Sequence, residues 1–502
     1  MEFSMNWTLL GGAVVAYYVT LVFYRLFLHP LALFPGPRLA AVSRWYEGYY
    51  DVVLDGQYTS KIGELHRIYG PIIRISPHEL HVNDPKFFDT IYCMDGRWDK
   101  YSWAYDAFGA RNSTIFGSGH DNHKSRRRAI ATFFSKPNIA SRQPVLRRNL
   151  DKLCQRISGL TGSTFNLGAA ISAFTRDSAN ELIVGRQYNE LDSDDFGVGL
   201  SIASQGAGPF WRITKHVHWF GPTIRGMPID WAMKMADDNT KAFLGCLMQS
   251  EQHTRETLAA AAASPPSDKS AGETMIHAIV YSDLPPAEKT FDRVLEEVMT
   301  VTGAAFETTA SALRLILFHV YTNEEILRRL RIEITSLSEN SYDAIDLKKL
   351  EQLPYLTAVL TEGMRLSPAI SSRAARVSDK DLFYDKWRIP AGTPVGMTTL
   401  LLHTDEELYP DPMCFNPDRW LVSAAGEATA SLYAPFGRGT RICVGMHLAW
   451  AEMYQLVAAL VQRFDFTIKD ATAADFELYQ DNFGIGTRAG CDLLVHATPY
   501  NL

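Results

Sequence analysis

Cys443 lies in Phe436-Gly437-Arg438-Gly439-Thr440-Arg441-Ile442-Cys443-Val444-Gly445, which runs straight into an apolar helical segment from Met446 to Phe464. The pattern is Phe-x-x-Gly-x-Arg-x-Cys-x-Gly. Five fixed positions coincide in a chain this long only about once in ten thousand random sequences. Each position has a chemical reason. A thiolate is a soft, electron-rich ligand for iron, and it needs positive surroundings to stay deprotonated. A loop that ends at a helix N-terminus supplies unpaired N–H groups and the positive end of a dipole. Gly439 and Gly445 permit a tight turn and a close backbone approach to a flat macrocycle. Phe436 can shield the sulfur from water, and Arg441 can pair with a carboxylate. The spacing therefore predicts an iron ligand at Cys443. A buried structural cysteine is the plainer alternative, and five coincident positions outweigh it.

This loop resembles that of the cytochrome P-450 superfamily of heme-thiolate monooxygenases, and other segments extend the likeness. Glu362-Gly363-Met364-Arg365 matches the family's Glu-x-x-Arg helix. Glu64–Arg67 and Glu325–Arg328 fit the same pattern, so position must decide. Glu362 lies 81 residues before Cys443, and Phe415-Asn416-Pro417-Asp418-Arg419-Trp420 falls between them. That segment resembles the family loop whose arginine closes a triad with the helix pair. Glu362 and Arg365 share one helix face, and Arg419 is expected to make the second contact with Glu362. The role implied is structural.

Ala304-Ala305-Phe306-Glu307-Thr308-Thr309 resembles the family's oxygen-activation element. The resemblance implies Glu307 and Thr308 as the acid and alcohol that deliver protons near bound dioxygen. Gly is usual where Ala305 stands, and the extra methyl narrows the groove there. Thr308 can also bond back to the carbonyl of Ala304 and open the helix locally. In His123-Lys124-Ser125-Arg126-Arg127-Arg128, His123 and Arg127 occupy places where the family carries propionate contacts, one above the other on a helix. The first of these is commonly Trp. Arg376 matches a further propionate contact. The resemblance thus implies heme b, held by His123, Arg127, Arg376, Phe436, Arg441, Cys443 and Gly445, with Cys443 on the metal.

The activity implied is insertion of one oxygen atom of O2 into a hydrophobic small molecule. Electrons come from an NADPH-cytochrome reductase. No Gly-x-Gly-x-x-Gly follows a strand, so NADPH binding falls to that separate partner. The cations of Lys124 to Arg128 form either a solvated face or a dock for an acidic reductase. By position the pocket is lined by residues 98–108, Phe210-Trp211, 301–305, 369–371 and 483–485, whose aromatic content suits a terpenoid or polyketide skeleton. The stretches Gly70 to Pro77 and His81 to Pro85 resemble fungal secondary-metabolism members near trichodiene oxygenase. A heme-thiolate isomerase, dehydratase or desaturase is the alternative, and the Glu307–Thr308 pair favours oxygen activation over it.

These residues need a scaffold. The 502 residues, 46% of them hydrophobic, can bury a large core. The patterning predicts a mainly α chain with small β-sheets, an α+β class consistent with the cytochrome P-450 fold. The longest helical pattern spans about Phe291 to Tyr321 and is apolar enough on both sides to run through the core. Pro71 to Ser76 with Leu80 to Val82 reads as a hairpin, and a second strand region runs through Trp387 to Ile389 and Val395 to Met397. Ser264 to Ser270 reads as a connector between helices.

Residues 1–45 read as an anchor and Pro-rich connector, and 46–502 as the catalytic domain. The apolar stretch from Trp7 to about Leu28 is long enough to span a bilayer. Arg25, Arg38 and Arg44 follow or end it, which by the positive-inside rule puts the N-terminus in the lumen and the body in the cytosol. A single-pass protein of the endoplasmic reticulum membrane is the expectation, touching lipid through that helix. His29-Pro30-Leu31 and Phe34-Pro35-Gly36-Pro37 should form a stiff, extended connector. Six cysteines without framework spacing suit a reducing compartment, and a net charge of -7 speaks against a nucleic-acid partner.

Overall fold

The computed structural model of the protein describes residues 7–263, 274–337, 346–421 and 432–500. The expected connector at 264–270 lies outside the described residues. A helix apolar on most of its surface can only be stable inside a core. The helix Phe291–Thr322, 32 residues long, obeys this, burying Val294, Val298, Phe306, Leu313 and Ile316 among others. Around it pack the helices Leu167–Val184, Pro354–Leu366 and Met446–Arg463, all contributing to one large hydrophobic cluster. Gly363 sets one of these contacts. A Cβ there would lie 2.1 Å from Ile316 Cγ1, so only glycine lets the Glu362 helix come this close to the core helix.

A five-stranded sheet flanks the helices. Its strands are β1 (Ile72–Ser76), β2 (Glu79–Val82), β3 (Trp98–Lys100), β4 (Arg376–Ser378) and β5 (Pro394–Gly396), in the spatial order β1-β2-β5-β4-β3. The early hairpin β1–β2 is as the alternation predicts. The second strand region divides. Trp387–Ile389 pairs with Leu382–Tyr384, while Pro394–Gly396 joins the larger sheet, parallel to β2 and antiparallel to β4. The antiparallel pairing of β3 and β4 sets Lys100 opposite Arg376. Like charges facing each other are unfavourable in a sheet unless an anion compensates.

The helix Trp7–Phe23 continues as a π-helical turn, Tyr24–Leu28, giving a 22-residue apolar span with no part of it buried. It is compatible with a membrane anchor. The core helix passes the same length test, but 67% of its apolar window is buried, as befits an interior element. The connector is not a free extended rod. It turns at residues 30–33 and packs on β1. Leu31 and Phe34 are buried, Phe34 stacks on Trp387 at 4.7 Å, and the Arg74 N–H donates to Pro35 O at 2.7 Å. The buried Arg74 guanidinium also donates to Arg25 O and Pro77 O, both at 2.8 Å, tying the end of the apolar helix to the sheet.

Candidate active site

The cysteine loop folds by backbone rules its glycines satisfy. Gly437 and Gly439 have φ of 70° and 74°, in the left-handed region glycine tolerates. A Cβ on Gly439 would lie 2.5 Å from Cys93 O, so the loop is pressed against another stretch of backbone. The Cys443 N–H donates to Phe436 O at 2.9 Å and closes the loop just before the helix Met446–Arg463 begins. Phe436 packs against the main core and lies 5.9 Å from the Trp450 ring. Cys443 is open to solvent on one side, with protein crowded around its sulfur on the others. Burial pushes its pKa up, and the N–H groups of Gly445 and Met446 together with the nearby Arg127 pull it down. These are the helix-end donors expected from the sequence.

Beside the loop gathers a group of cations. Arg127, on the helix His120–Ala131, donates to Ile442 O at 2.7 Å. Arg441 donates to Gly117 O and Ser118 O at 3.0 and 2.8 Å. Arg376 reaches only backbone carbonyls, those of Ala374 and Ala375. Lys100 donates to Ile115 O at 2.6 Å. Among the described residues none of these four, nor His123, forms an ion pair with a carboxylate. Burial and repulsion act together on three of them. Burial, then Arg376, Arg441 and Arg127, holds the Lys100 ammonium well below its usual range. Burial, then Arg441 and Lys100, drives His123 down to about 2, leaving it neutral. Burial, with help from Arg376, takes Arg441 to about 10. Such a cluster is unstable by itself and fits a dianionic ligand. Heme b, with two propionates, meets that requirement, and the cysteine loop lies beside it.

Lys100 was not foreseeable from the sequence. Its strand is three residues long, too short for a period, and its partner Arg376 lies far along the chain. The structure brings His123, Arg127, Arg376, Arg441 and Cys443 near one another.

In the core helix, Gly303 and Ala304 are exposed amid buried neighbours, so the helix opens one face onto interior space. The Thr308 hydroxyl donates to Ala304 O at 2.8 Å, the back-bond anticipated from the sequence. Thr175, on the helix Leu167–Val184, donates to Phe306 O at 2.8 Å and so engages the same turn from outside. Glu307 is paired with Arg314 at 3.0 Å and approached by Arg176 at 3.8 Å, while its Oε1 has no hydrogen-bond partner.

Three of the segments expected to line the pocket bring their aromatic rings into one cluster. Phe108 stacks on Phe116 at 4.1 Å and on Trp211 at 5.7 Å, and Phe483 meets Phe108 edge-on at 4.9 Å. Phe483 has a φ of 69°, a strained conformation for a residue with a side chain. Ser371 N–H donating to Phe483 O at 3.0 Å and Phe483 N–H donating to Asp481 at 2.9 Å hold it there. Phe210 turns instead to Phe220 at 5.6 Å, and Phe116 enters in its place.

Behind the loop, Arg365 grips Glu362 through two bonds of 2.9 and 2.8 Å. Arg419 adds one at 3.0 Å and Trp420 another at 2.8 Å. Glu325–Arg328 makes the same local pair, but exposed on the surface.

Residues 44–488 match the family model described as cytochrome P-450. The chain is 38% identical to cytochrome P-450 monooxygenase tpcC of Cochliobolus heterostrophus, over 90% of this chain and 87% of that protein. It is 34% identical to N-acetyltryptophan 6-hydroxylase ivoC of Emericella nidulans, over 97% and 96%. It is 32% identical to cytochrome P-450 monooxygenase TRI4 of Fusarium sporotrichioides, over 93% and 90%. A cysteine loop at a helix N-terminus, beside a cation cluster that makes no ion pair among the described residues, fits a heme-binding oxidoreductase. The chain belongs to the cytochrome P-450 family, the heme-dependent monooxygenases.

Proposed function

We propose that this protein is a membrane-anchored monooxygenase that holds heme b through Cys443 and oxygenates a hydrophobic intermediate of fungal secondary metabolism. The observation that carries the site assignment is the set of five basic residues, Lys100, His123, Arg127, Arg376 and Arg441, gathered beside Cys443 with no carboxylate ion pair among the described residues. When bound, heme supplies the redox chemistry that activates O2 with electrons from an NADPH-dependent reductase. The chain's own groups do the rest. The N–H groups of Gly445 and Met446 stabilise negative charge on the sulfur, and Phe436, whose carbonyl accepts the Cys443 N–H, closes the loop around it. Thr308 Oγ1 and the Glu307 carboxylate pass protons toward the open face at Gly303 and Ala304. Phe108, Phe116, Trp211 and Phe483 receive the substrate, which suits a terpenoid or polyketide skeleton.

The unburied apolar helix favours a single-pass anchor, residues 1–45, in the endoplasmic reticulum membrane, with residues 46–502 as the cytosolic catalytic unit. A groove beside Met446 and His447, whose basic residues, Arg147 and Lys348 among them, outnumber Asp151, Asp346 and Glu351, suits an acidic reductase.

The reduced, heme-loaded protein under carbon monoxide should give the strongly red-shifted absorption of thiolate ligation, and Cys443→His should abolish it together with oxygenation. Unchanged spectra in that variant would remove the assignment. Incorporation of label from 18O2 into product separates oxygen insertion from rearrangement, dehydration or desaturation.

A further inference from the structure

The helix Ala207–His216 brings Trp211 into the aromatic wall, yet it is fastened differently from the other two segments. The Phe483 hairpin is tied by backbone bonds, with Asp481 N–H donating to Gly56 O at 2.8 Å and Ser371 N–H to Phe483 O at 3.0 Å. Among the described residues, no backbone hydrogen bond joins the helix Ala207–His216 to a distant segment. Side chains alone hold it. Trp211 Nε1 donates to Ala104 O at 2.8 Å, and Arg212 donates to Asn482 at 2.8 Å while pairing with Asp55.

One of these holds is ionic and buried. Lys215 Nζ lies 2.8 Å from Glu47 and 2.8 Å from Asp51, with all three side chains at most 2% exposed. His216 Nε2 lies 2.8 Å from the same Asp51. The ammonium also rests over the Trp211 ring at 4.2 Å and the Trp103 ring at 5.3 Å. Glu47 is fixed from its other side by Arg373 at 3.0 Å, which in turn grips Glu79 at 2.6 Å. Glu47, Asp51 and His216 form a donor set of the kind that holds a cation, and Lys215 already fills that place. Glu47 and Asp51 sit on the turns Trp45–Gly48 and Tyr49–Val53, directly after the connector from the apolar helix.

Buried ion clusters seldom add net stability over well-packed apolar side chains, so stability alone gives no reason to keep one here. Their other use is to specify one of two arrangements. We propose that Lys215 is a latch: its ammonium, clasped by Glu47 and Asp51, holds the helix Ala207–His216 and Trp211 shut over the pocket, and a bulky ligand passes only when the clasp parts. This rests on the pocket assigned above. The latch joins the pocket wall to the turns that follow the connector, so the position of the apolar helix bears on access. Lys215 acts through Trp211 and is a positioning residue.

The test uses full-length, heme-loaded protein in detergent and two nitrogen ligands, imidazole as the small probe and clotrimazole as the bulky one. Stopped-flow absorbance follows each binding to iron. The double variant Lys215→Met/Asp51→Asn removes one charge of each sign and avoids stranding a lone buried ion. It should speed both association and dissociation of clotrimazole about tenfold, leave its Kd within about threefold, and leave imidazole kinetics unchanged. Lys215→Arg should behave like the parent. Glu47→Gln, a milder change of nearly equal shape, should move clotrimazole rates in the same direction and serves if the double variant fails to fold. Clotrimazole rates within about twofold of the parent in these variants would overturn the latch. So would faster dissociation alone with a weakened Kd, which would assign Lys215 to ligand contact. A heme-loaded parent that binds neither probe would overturn the site reading itself, a result distinct from a failed latch.

Discussion

His403 Nε2 accepts the backbone N–H of Ala434 at 3.1 Å, two residues before Phe436. The other ring nitrogen, Nδ1, faces Arg365 O at 3.0 Å, and the Arg365 guanidinium donates to His403 O at 2.7 Å. Because Nε2 accepts, the proton resides on Nδ1, and the ring is neutral. Burial holds its pKa down at about 3. One imidazole thus links the Glu362–Arg365 pair to the approach of the cysteine loop.

Replacing His403 with Phe keeps the volume and strands two buried partners, the Ala434 N–H and the Arg365 carbonyl. Each stranded group costs about 1–3 kcal/mol. His403→Phe should therefore lose several degrees of thermal stability and release heme faster, because the loop loses its support. Thermal unfolding of the heme-loaded protein and heme transfer to apomyoglobin check both effects. An unchanged heme release rate would confine His403 to general packing.

Buried imidazoles also set an acid limit. Burial lowers His66 and His319 to about 4 and His403 to about 3, against an ordinary value near 6.5. Their folded pKa values are depressed, so above pH 6.5 both folded and unfolded chains leave them neutral and stability is complete. As pH falls from 6.5 toward 4, the unfolded chain takes up protons the native chain refuses. Each such histidine then removes about 1.4 kcal/mol per pH unit. Urea unfolding at pH 7, 6 and 5 should show a progressively lower midpoint. A flat midpoint across that range would contradict the buried, neutral assignment.

Lys100 offers the cleanest check on the cation cluster. If its ammonium meets a propionate, Lys100→Met removes one charge-assisted hydrogen bond, about 1.5–3 kcal/mol, and heme should leave roughly tenfold faster or more. The cysteine ligand is untouched, so the carbon monoxide spectrum of the loaded protein should stay the same. Lys100→Arg should restore retention. Equal heme release from the parent and Lys100→Met would place the propionates elsewhere.

What was legible in the sequence was what is local. The cysteine loop and the Glu362–Arg365 pair are recognisable because their fixed positions lie within one turn or one helix, where spacing translates directly into geometry. The core helix was legible because a 32-residue apolar pattern leaves few alternatives. Lys100 and His403 were not, since each acquires its role from a partner outside its own element. The connector misled for a related reason. Proline restrains single residues toward extended backbone, but the docking of Leu31 and Phe34 on β1 and Trp387 decides the path. Phe210 and Trp211 look alike in sequence, and only the helix orientation sends Trp211 inward.

In the proposed reaction Glu307 is the acid, and its pairing makes a specific demand. The carboxylate is held by Arg314 at 3.0 Å and faces Arg176 at 3.8 Å, while Thr308 Oγ1 is bonded to Ala304 O. Proton delivery then requires the carboxylate to leave at least one arginine or to act through an intervening water. Glu307→Gln keeps the shape and removes the charge, and Thr308→Ala removes the hydroxyl. Both should leave the carbon monoxide spectrum intact and lower product formation about 100-fold, the usual scale for a lost general acid. NADPH consumption should fall less, so that product per NADPH drops. Thr308→Ser should restore much of the yield, since it keeps the oxygen. Arg314→Met releases the Glu307 carboxylate from its 3.0 Å ion pair and should change the product formed per NADPH without changing the spectrum. If Glu307→Gln and Thr308→Ala both turn over at the parent's rate and coupling, proton delivery runs through other groups, and the open face at Gly303 and Ala304 serves substrate alone.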